Sequence, residues 1–517
     1  MDGVYDLLRP LHLCIGTSVY DLLRPLNLCL GFSVYVAYRV LYALYISPLR
    51  NVPGPFWCRI SKLPMFYHDM CGLEPEFMQR NCQKYGSIFV MEPNKVGVCG
   101  LSECQTVLNS HGFLKDEIYA RVKFIEPNML LTRSPELNHL RRRQIGGALQ
   151  PHSLRGMEPI VLGAGAQQLM RKWDSEIAKN GQVRVHYFRD FSDMTFDVIC
   201  SLGYGLEHRS LTTKDRKMAI WARKITLLLY VEVMAPILSR TPFKQTVLRG
   251  LRASVDKFLA FGVDAVEQRK RKGESGKRND ILQAFIDAED PQSKIRMTAG
   301  QIASETAINM WAGTETTANA LTWTVHLLLL HPHYMQRAQQ EVREQFAPSC
   351  VIEYDAARAQ LPFLEACVFE ALRLHPPVNN LPRMVTQGGV VLRGHFIPDH
   401  CTMSVSIHAC NTNAETWDRP LVFDPERFIN CPEQKRMILT FSSGVRVCPG
   451  RHLAMWEIFT TLANVLNNYE LELPSDAVFT PKRTDGDGPV VMPYYHAITC
   501  SPKYPDRDCI AIVSKRE

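Results

Sequence analysis

Cys448 stands in the run Phe441-Ser-Ser-Gly-Val-Arg-Val-Cys-Pro-Gly450, between two glycines and just ahead of a helix-like stretch, Arg451 to Leu466. That setting suits a thiolate ligand. Gly444 permits the backbone of a tight turn, and Gly450 lets the chain approach a flat ligand closely. The free N–H groups and positive end of the following helix favour ionised sulfur. Arg446 is placed to meet an anionic group of whatever the sulfur ligates. The alternative is a buried structural cysteine, the usual fate of a lone Cys.

A second constellation lies in the middle of a long helical pattern. Thr298-Ala-Gly-Gln301 reads as a capping box, and helical spacing runs on to His331-Pro332, where proline stops it. At 1.5 Å per residue such a helix spans roughly 48 Å, enough to cross a whole domain. Its centre reads Ala312-Gly-Thr-Glu-Thr-Thr317. Ala312 and Gly313 open room on one face, and Glu315 sits beside the Thr316 hydroxyl. A glycine inside a helix costs about 1 kcal/mol relative to alanine, so Gly313 calls for a reason. An exposed polar patch is the alternative; apolar residues on both sides argue against it.

Three further sets of polar residues carry spacing. Glu370 and Arg373 share one face of an apolar helix that ends at Pro376 and Pro377. If buried, such a pair needs more hydrogen bonds to offset its desolvation. Arg427, in Phe423-Asp-Pro-Glu-Arg-Phe428, is the candidate third member. His139 and Arg143 lie four apart on one helix face, with Arg141 and Arg142 between them. A solvated basic face, or a docking surface that includes Arg141 and Arg142, explains these as well as a binding role does. Arg383 follows in Leu381-Pro-Arg383.

Taken in order, F-x-x-G-x-R-x-C-x-G, the Ala312–Thr317 segment, E-x-x-R and Phe-x-Pro-Glu-Arg-Phe resemble the cytochrome P450 family. The likeness covers roughly residues 48 to 500 and is to its microsomal type, in the style of filamentous-fungal secondary metabolism. It implies a mainly α fold with small β-sheets: a large helical domain, a small β-rich one and one N-terminal transmembrane helix. It implies haem b, with Cys448 as axial iron ligand and Ala312, Gly313, Phe441, Gly444, Arg446 and Gly450 around it. His139, Arg143 and Arg383 would meet the haem propionates. Thr316 would hydrogen-bond oxygen bound at the iron, under a local distortion of the helix, and Glu315 would relay protons from solvent. Glu370, Arg373 and Arg427 would form a buried network behind the cysteine loop. His139 stands where many members have Trp, and Pro449 follows the cysteine directly.

Cysteine-ligated haem favours O–O cleavage, so the implied reaction is mono-oxygenation with O2 as co-substrate. The chain shows no flavin or nicotinamide fingerprint. Electrons are therefore expected from NADPH through a membrane-bound NADPH–cytochrome P450 reductase, with cytochrome b5 as a further donor. Arg142, Lys435, Arg436 and Arg451 are the expected docking face. The alternatives are a haem-thiolate isomerase or dehydratase needing no electrons, and a non-catalytic haem sensor; Glu315 and Thr316 argue against both. The expected substrate is lipophilic, a terpenoid, polyketide or related scaffold.

The surrounding chain fits these parts. At about 150 residues per domain, 517 residues would suggest three domains, yet no long Gly/Ser or Pro-rich linker divides the body. The net charge of +7 is dispersed and no nucleic-acid motif accompanies it, so no nucleic acid is expected as partner. No C-x-x-C pair suggests structural zinc, and the cysteines read as core thiols of a reducing compartment. Residues 4–18 and 19–33 are a tandem copy differing at three positions. Leu26 to Ile46 carries only Arg39 as a charge and is long enough to span a bilayer core of about 30 Å. The expected order is a duplicated segment (1–25), an anchor (26–46), a Pro-rich hinge (47–55) and a catalytic body (56–517). The anchor would hold that body on the cytosolic face of the endoplasmic reticulum.

Overall fold

The computed structural model describes residues 25–121, 124–207, 209–213, 217–235, 246–386, 388–486 and 488–516. The helices needed below are α1 (Pro25–Leu41), α2 (Pro135–Ile145), α3 (Tyr187–Tyr204), α4 (Lys217–Met234), α5 (Ala299–Leu330), α6 (Pro362–Leu374) and α7 (Arg451–Asn468). The strands are β1 (Ile88–Glu92), β2 (Lys95–Val98), β3 (Phe113–Lys115), β4 (Asn380–Val385) and β5 (Thr402–Ser406).

The capping box is present as read: Thr298 accepts from the Gln301 N–H, and the Gln301 side chain accepts from the Thr298 N–H. Together these satisfy donors that the first turn of α5 would otherwise leave orphaned. The 32 residues of α5 then run unbroken to its C-cap, His331. Its C-terminal half, from Thr317 to Leu330, is wholly buried. It packs along α3, which is itself buried on nearly every face, and against α6 and α7. Each large apolar side chain so buried contributes about 1.5–3 kcal/mol. Trp173, Trp323 and Trp456 fill the centre of this helical core.

Beside it lies a five-stranded sheet in the order β1-β2-β5-β4-β3. Only the β2–β5 pair is parallel. Its register sets Lys115 directly opposite Arg383. Like charges so opposed destabilise a sheet. Smaller sheets and hairpins join residues 182–186, 469–472 and 510–515, residues 390–397, and residues 494–502.

Two expectations need correction. Cys82 and Cys99 are joined as a disulfide, so not every body cysteine is a free core thiol. At a sequence separation of 17, no short motif marked the pair. Residues 47–55, expected as a hinge, are packed onto the body. Leu49 and Val52 are buried in the core beside the sheet. The Arg59 guanidinium donates to the carbonyls of Leu49, Arg50 and Val52, and Val90 N–H donates to Pro53 O at 2.8 Å. The apolar stretch Asn27–Ile46 is exposed along nearly its whole length and is long and apolar enough to cross a membrane. The first copy of the duplication lies outside the described residues.

Candidate active site

The middle of α5, the Cys448 loop with the start of α7, the β3–β4 edge of the sheet and α4 enclose one cavity of about 1130 Å³. Its walls are largely apolar, with Phe66, Ile199, Leu229, Val233, Ile308 and Ile498 among them. Cys448, Phe441, Arg446 and Gly450 lie on it from one side, and Ala312, Gly313, Glu315 and Thr316 from another.

The cysteine loop is shaped by its backbone. Gly444 adopts φ +64°, and a Cβ there would stand 2.4 Å from Cα of Asn109. No other residue fits. Cys448 N–H donates to Phe441 O at 2.8 Å, which folds the loop back on itself. Burial pushes the Cys448 thiol up. The Gly450 and Arg451 N–H groups at the start of α7, with the Arg142 and Arg451 guanidiniums, offset part of that rise. A Cβ on Gly450 would meet no protein atom within 4 Å, so nothing in the protein requires glycine there.

Behind the loop Glu370, Arg373 and Arg427 are bonded together. Arg373 and Glu370, both fully buried, are joined by two bonds of 2.7 and 2.8 Å. Arg373 also donates to the carbonyls of Asn411, Pro420 and Val422, while Glu370 accepts from Asp424 N–H and from Arg427 at 3.3 Å. Asn411 carries the network to the cysteine loop. Its side-chain carbonyl accepts from Leu439 N–H, and its amide donates to the Thr440 hydroxyl, each at 3.1 Å.

The basic residues divide differently from expectation. His139 is exposed, its ring packed on His111, and Arg143 is tied to Asp290 at 2.5 Å. Neither lines the cavity. One residue back on α2, Asn138 and Arg142 do, at the same i, i+4 spacing. A helix turns about 100° per residue, so a one-residue shift changes the face. Arg142 therefore leaves the expected docking face: it donates to Val447 O at 2.6 Å, inside the cysteine loop. Arg141 is buried against Glu305 rather than exposed, and Lys435 is paired with Glu365; Arg436 and Arg451 are exposed.

Lys115, unnoticed in the sequence, is buried on the cavity wall and donates to Leu130 O. With Arg142, Arg383 and Arg446 it forms a group of cations whose charges oppose one another. Burial and these neighbours hold Lys115 well below the usual lysine range and Arg446 down to about 10. Among the described residues, all four are bonded to backbone carbonyls and none is in an ion pair. Buried uncompensated charge is costly, so this arrangement suits an anionic ligand.

The α5 helix runs without a break past its centre. The helix is regular through Ala312–Thr317, and Thr316 returns its hydroxyl to Ala312 O at 2.7 Å. Glu315 accepts from the hydroxyls of Thr226 and Thr499 at 3.2 and 3.3 Å.

The family model for cytochrome P450 matches residues 52–499. This chain belongs to the cytochrome P450 family. The monooxygenases helB1 and helB2 of Aspergillus fumigatus are 35% and 36% identical to it, each over 93% of this chain and over 84% and 96% of their own lengths. The solved haem domain of cytochrome P450DA superposes with a TM-score of 0.76, covering 90% of this chain and 98% of that one at 19% identity, a likeness of fold. The protein is thus a P450 monooxygenase of a haem-binding family, with the P450 fold. Its residues fit the cofactor: a half-buried thiol on the cavity wall, open space beside Gly450, and cations outside any ion pair among the described residues that two propionates would neutralise.

Proposed function

We propose that this P450 binds haem b through Cys448 and inserts one oxygen atom of O2 into a C–H or double bond of a lipophilic natural-product intermediate. A terpenoid, polyketide or related scaffold is the substrate class. NADPH–cytochrome P450 reductase supplies the electrons, with cytochrome b5 as a further donor. The enzyme sits on the endoplasmic reticulum membrane by residues 26–46, its body in the cytosol. One observation carries this reading: a single apolar cavity has the Cys448 loop on one side and the Ala312–Thr317 segment on another, with unpaired buried cations at its wall.

When bound, haem supplies oxygen activation, and its thiolate ligand favours O–O cleavage. The chain's own residues do the rest. Arg142, Lys115 and Arg446, which line the cavity, would hold the propionates, with Arg383 beside Lys115 just behind the wall; Gly450 would admit a flat ring, and Ala312 and Gly313 leave room on the facing helix. Glu370, Arg373 and Arg427 keep the loop in place. Glu315 brings protons from solvent, and Thr316 hands them on by turning its hydroxyl from Ala312 O into the cavity. Apolar walls exclude bulk water and receive the substrate.

Reduced enzyme with carbon monoxide should show the red-shifted band of thiolate ligation. Product should require NADPH, reductase and O2; turnover of a peroxide without NADPH would instead indicate an isomerase. Type I spectral shifts across a panel of terpenoids, polyketides, fatty acids and xenobiotics would identify the class. Thr316→Ala should raise hydrogen peroxide release at the expense of product. Unchanged coupling removes Thr316 from the mechanism.

A further inference from the structure

Glu315 is held from two directions by residues that sequence motifs do not mark. Thr226, on α4, and Thr499, in the loop after the strand Tyr494–His496, both donate to the same carboxylate oxygen, Oε2, at 3.2 and 3.3 Å. Trp311, one turn before Glu315 on the same face of α5, donates its indole N–H to Thr226 Oγ1 at 2.8 Å. A hydroxyl has one proton, and an indole N–H can only donate. With the indole on its lone pair, the Thr226 proton is left to point at Glu315. Trp311 and Glu315 thus clamp one α4 hydroxyl between them. Thr226 is not part of the cavity wall, whereas Trp311, Glu315 and Thr499 are.

We infer that Thr226 and Thr499 are positioning residues for Glu315, with Trp311 orienting Thr226, and that together they aim the carboxylate for proton delivery. This rests on the reading of Glu315 as the proton relay. Without the clamp the carboxylate loses the two hydroxyl bonds that aim Oε2, and delivery slows by roughly tenfold, the scale of one hydrogen bond to a charged group. The link also ties the acid to α4, so the carboxylate is aimed only while α4 lies against α5.

The test uses full-length holoenzyme with NADPH–cytochrome P450 reductase and no added substrate. Under these conditions O2 takes two electrons and two protons to leave as hydrogen peroxide, or four of each to form two waters. NADPH used per O2 therefore runs from one, when protons arrive too slowly, to two. Thr226→Val and Thr499→Val should move this ratio toward one, raise peroxide per O2 severalfold and enlarge the solvent deuterium isotope effect. The carbon monoxide band and the rate of first-electron reduction should stay unchanged. Thr226→Ser and Thr499→Ser should restore coupling, because they keep the hydroxyl. Trp311→Phe should produce a smaller loss, and it carries the test with Thr499→Val if Thr226→Val does not load haem.

Glu315→Gln separates the outcomes. If it uncouples while the valine variants and Trp311→Phe behave as wild type, the positioning roles are wrong and the relay stands. If the serine variants uncouple as much as the valines, packing rather than hydrogen bonding is responsible and the inference fails. If Glu315→Gln itself leaves the ratio and isotope effect unchanged, the relay reading falls, and this inference with it.

Discussion

Two groups of buried charge flank the cysteine loop, and they are built on opposite plans. Glu370, Arg373 and Arg427 are closed: every strong donor and acceptor is met by a partner in the chain, including three carbonyls on Arg373 and a backbone N–H on Glu370. Lys115, Arg142, Arg383 and Arg446 are open: four cations on neutral carbonyls, repelling one another across a sheet edge and a cavity wall. A closed network is a scaffold, since breaking it leaves a stranded charge. An open one is half of a contact, and its other half is a ligand. Under the proposed function, the same distinction would separate residues that hold the fold from residues that hold the cofactor.

The contrast gives graded expectations. The largest effect concerns the group both clusters serve. Cys448→Ala should abolish the red-shifted carbon monoxide band; a band that survives would show that another residue ligates the iron. Next is the closed network. Glu370→Ala or Arg373→Ala should cost about 3–5 kcal/mol and give little folded, haem-loaded protein. A soluble, fully loaded variant from either would erase the contrast.

The open cluster should respond in the opposite sense. Lys115→Met removes a buried cation that is in no ion pair among the described residues, Glu305 acting on it only through space. The apoprotein should therefore melt at a higher temperature while haem is lost roughly tenfold faster, measured by transfer to apomyoglobin. Destabilisation of the apoprotein would mean that Lys115 is structural. Arg446→Gln should weaken haem retention by a similar factor without loss of the apo fold.

The smallest effect concerns a third buried titratable group, Glu74, which accepts from Asn380 at 3.1 Å and lies 3.3 Å from His496. Burial first, then nearby Asp69, pushes its carboxyl up to about 8. The folded state thus holds this proton more tightly than the unfolded chain. The resulting stability is full below about pH 4.5 and is lost as pH rises through about 8. Measured against Glu74→Gln, which removes this proton linkage, the wild-type melting temperature should fall by a few degrees from pH 5 to pH 8.

Legibility in the sequence followed the same division. The α5 capping box and the Glu370–Arg373–Arg427 set were readable because each depends on local spacing or on a fixed motif. The open cluster was not. Lys115 becomes significant only when strand pairing sets it against Arg383, a contact spanning most of the chain. The basic run on α2 was misread by one residue because spacing alone does not say which face turns inward. The buried Ile145, three and four residues beyond Arg142 and Arg141, was the available signal. The disulfide and the packed segment 47–55 are likewise products of tertiary approach rather than of pattern.

That packed segment bears on how the enzyme meets its surroundings. Arg59 staples the chain leaving the apolar helix to the body, and Val52 and Leu49 are sunk in the core. There is no slack between tether and body. On a membrane the body would ride at one fixed tilt, unable to swing out toward a protein that brings electrons. Any reach or reorientation during their encounter would have to come from the donor.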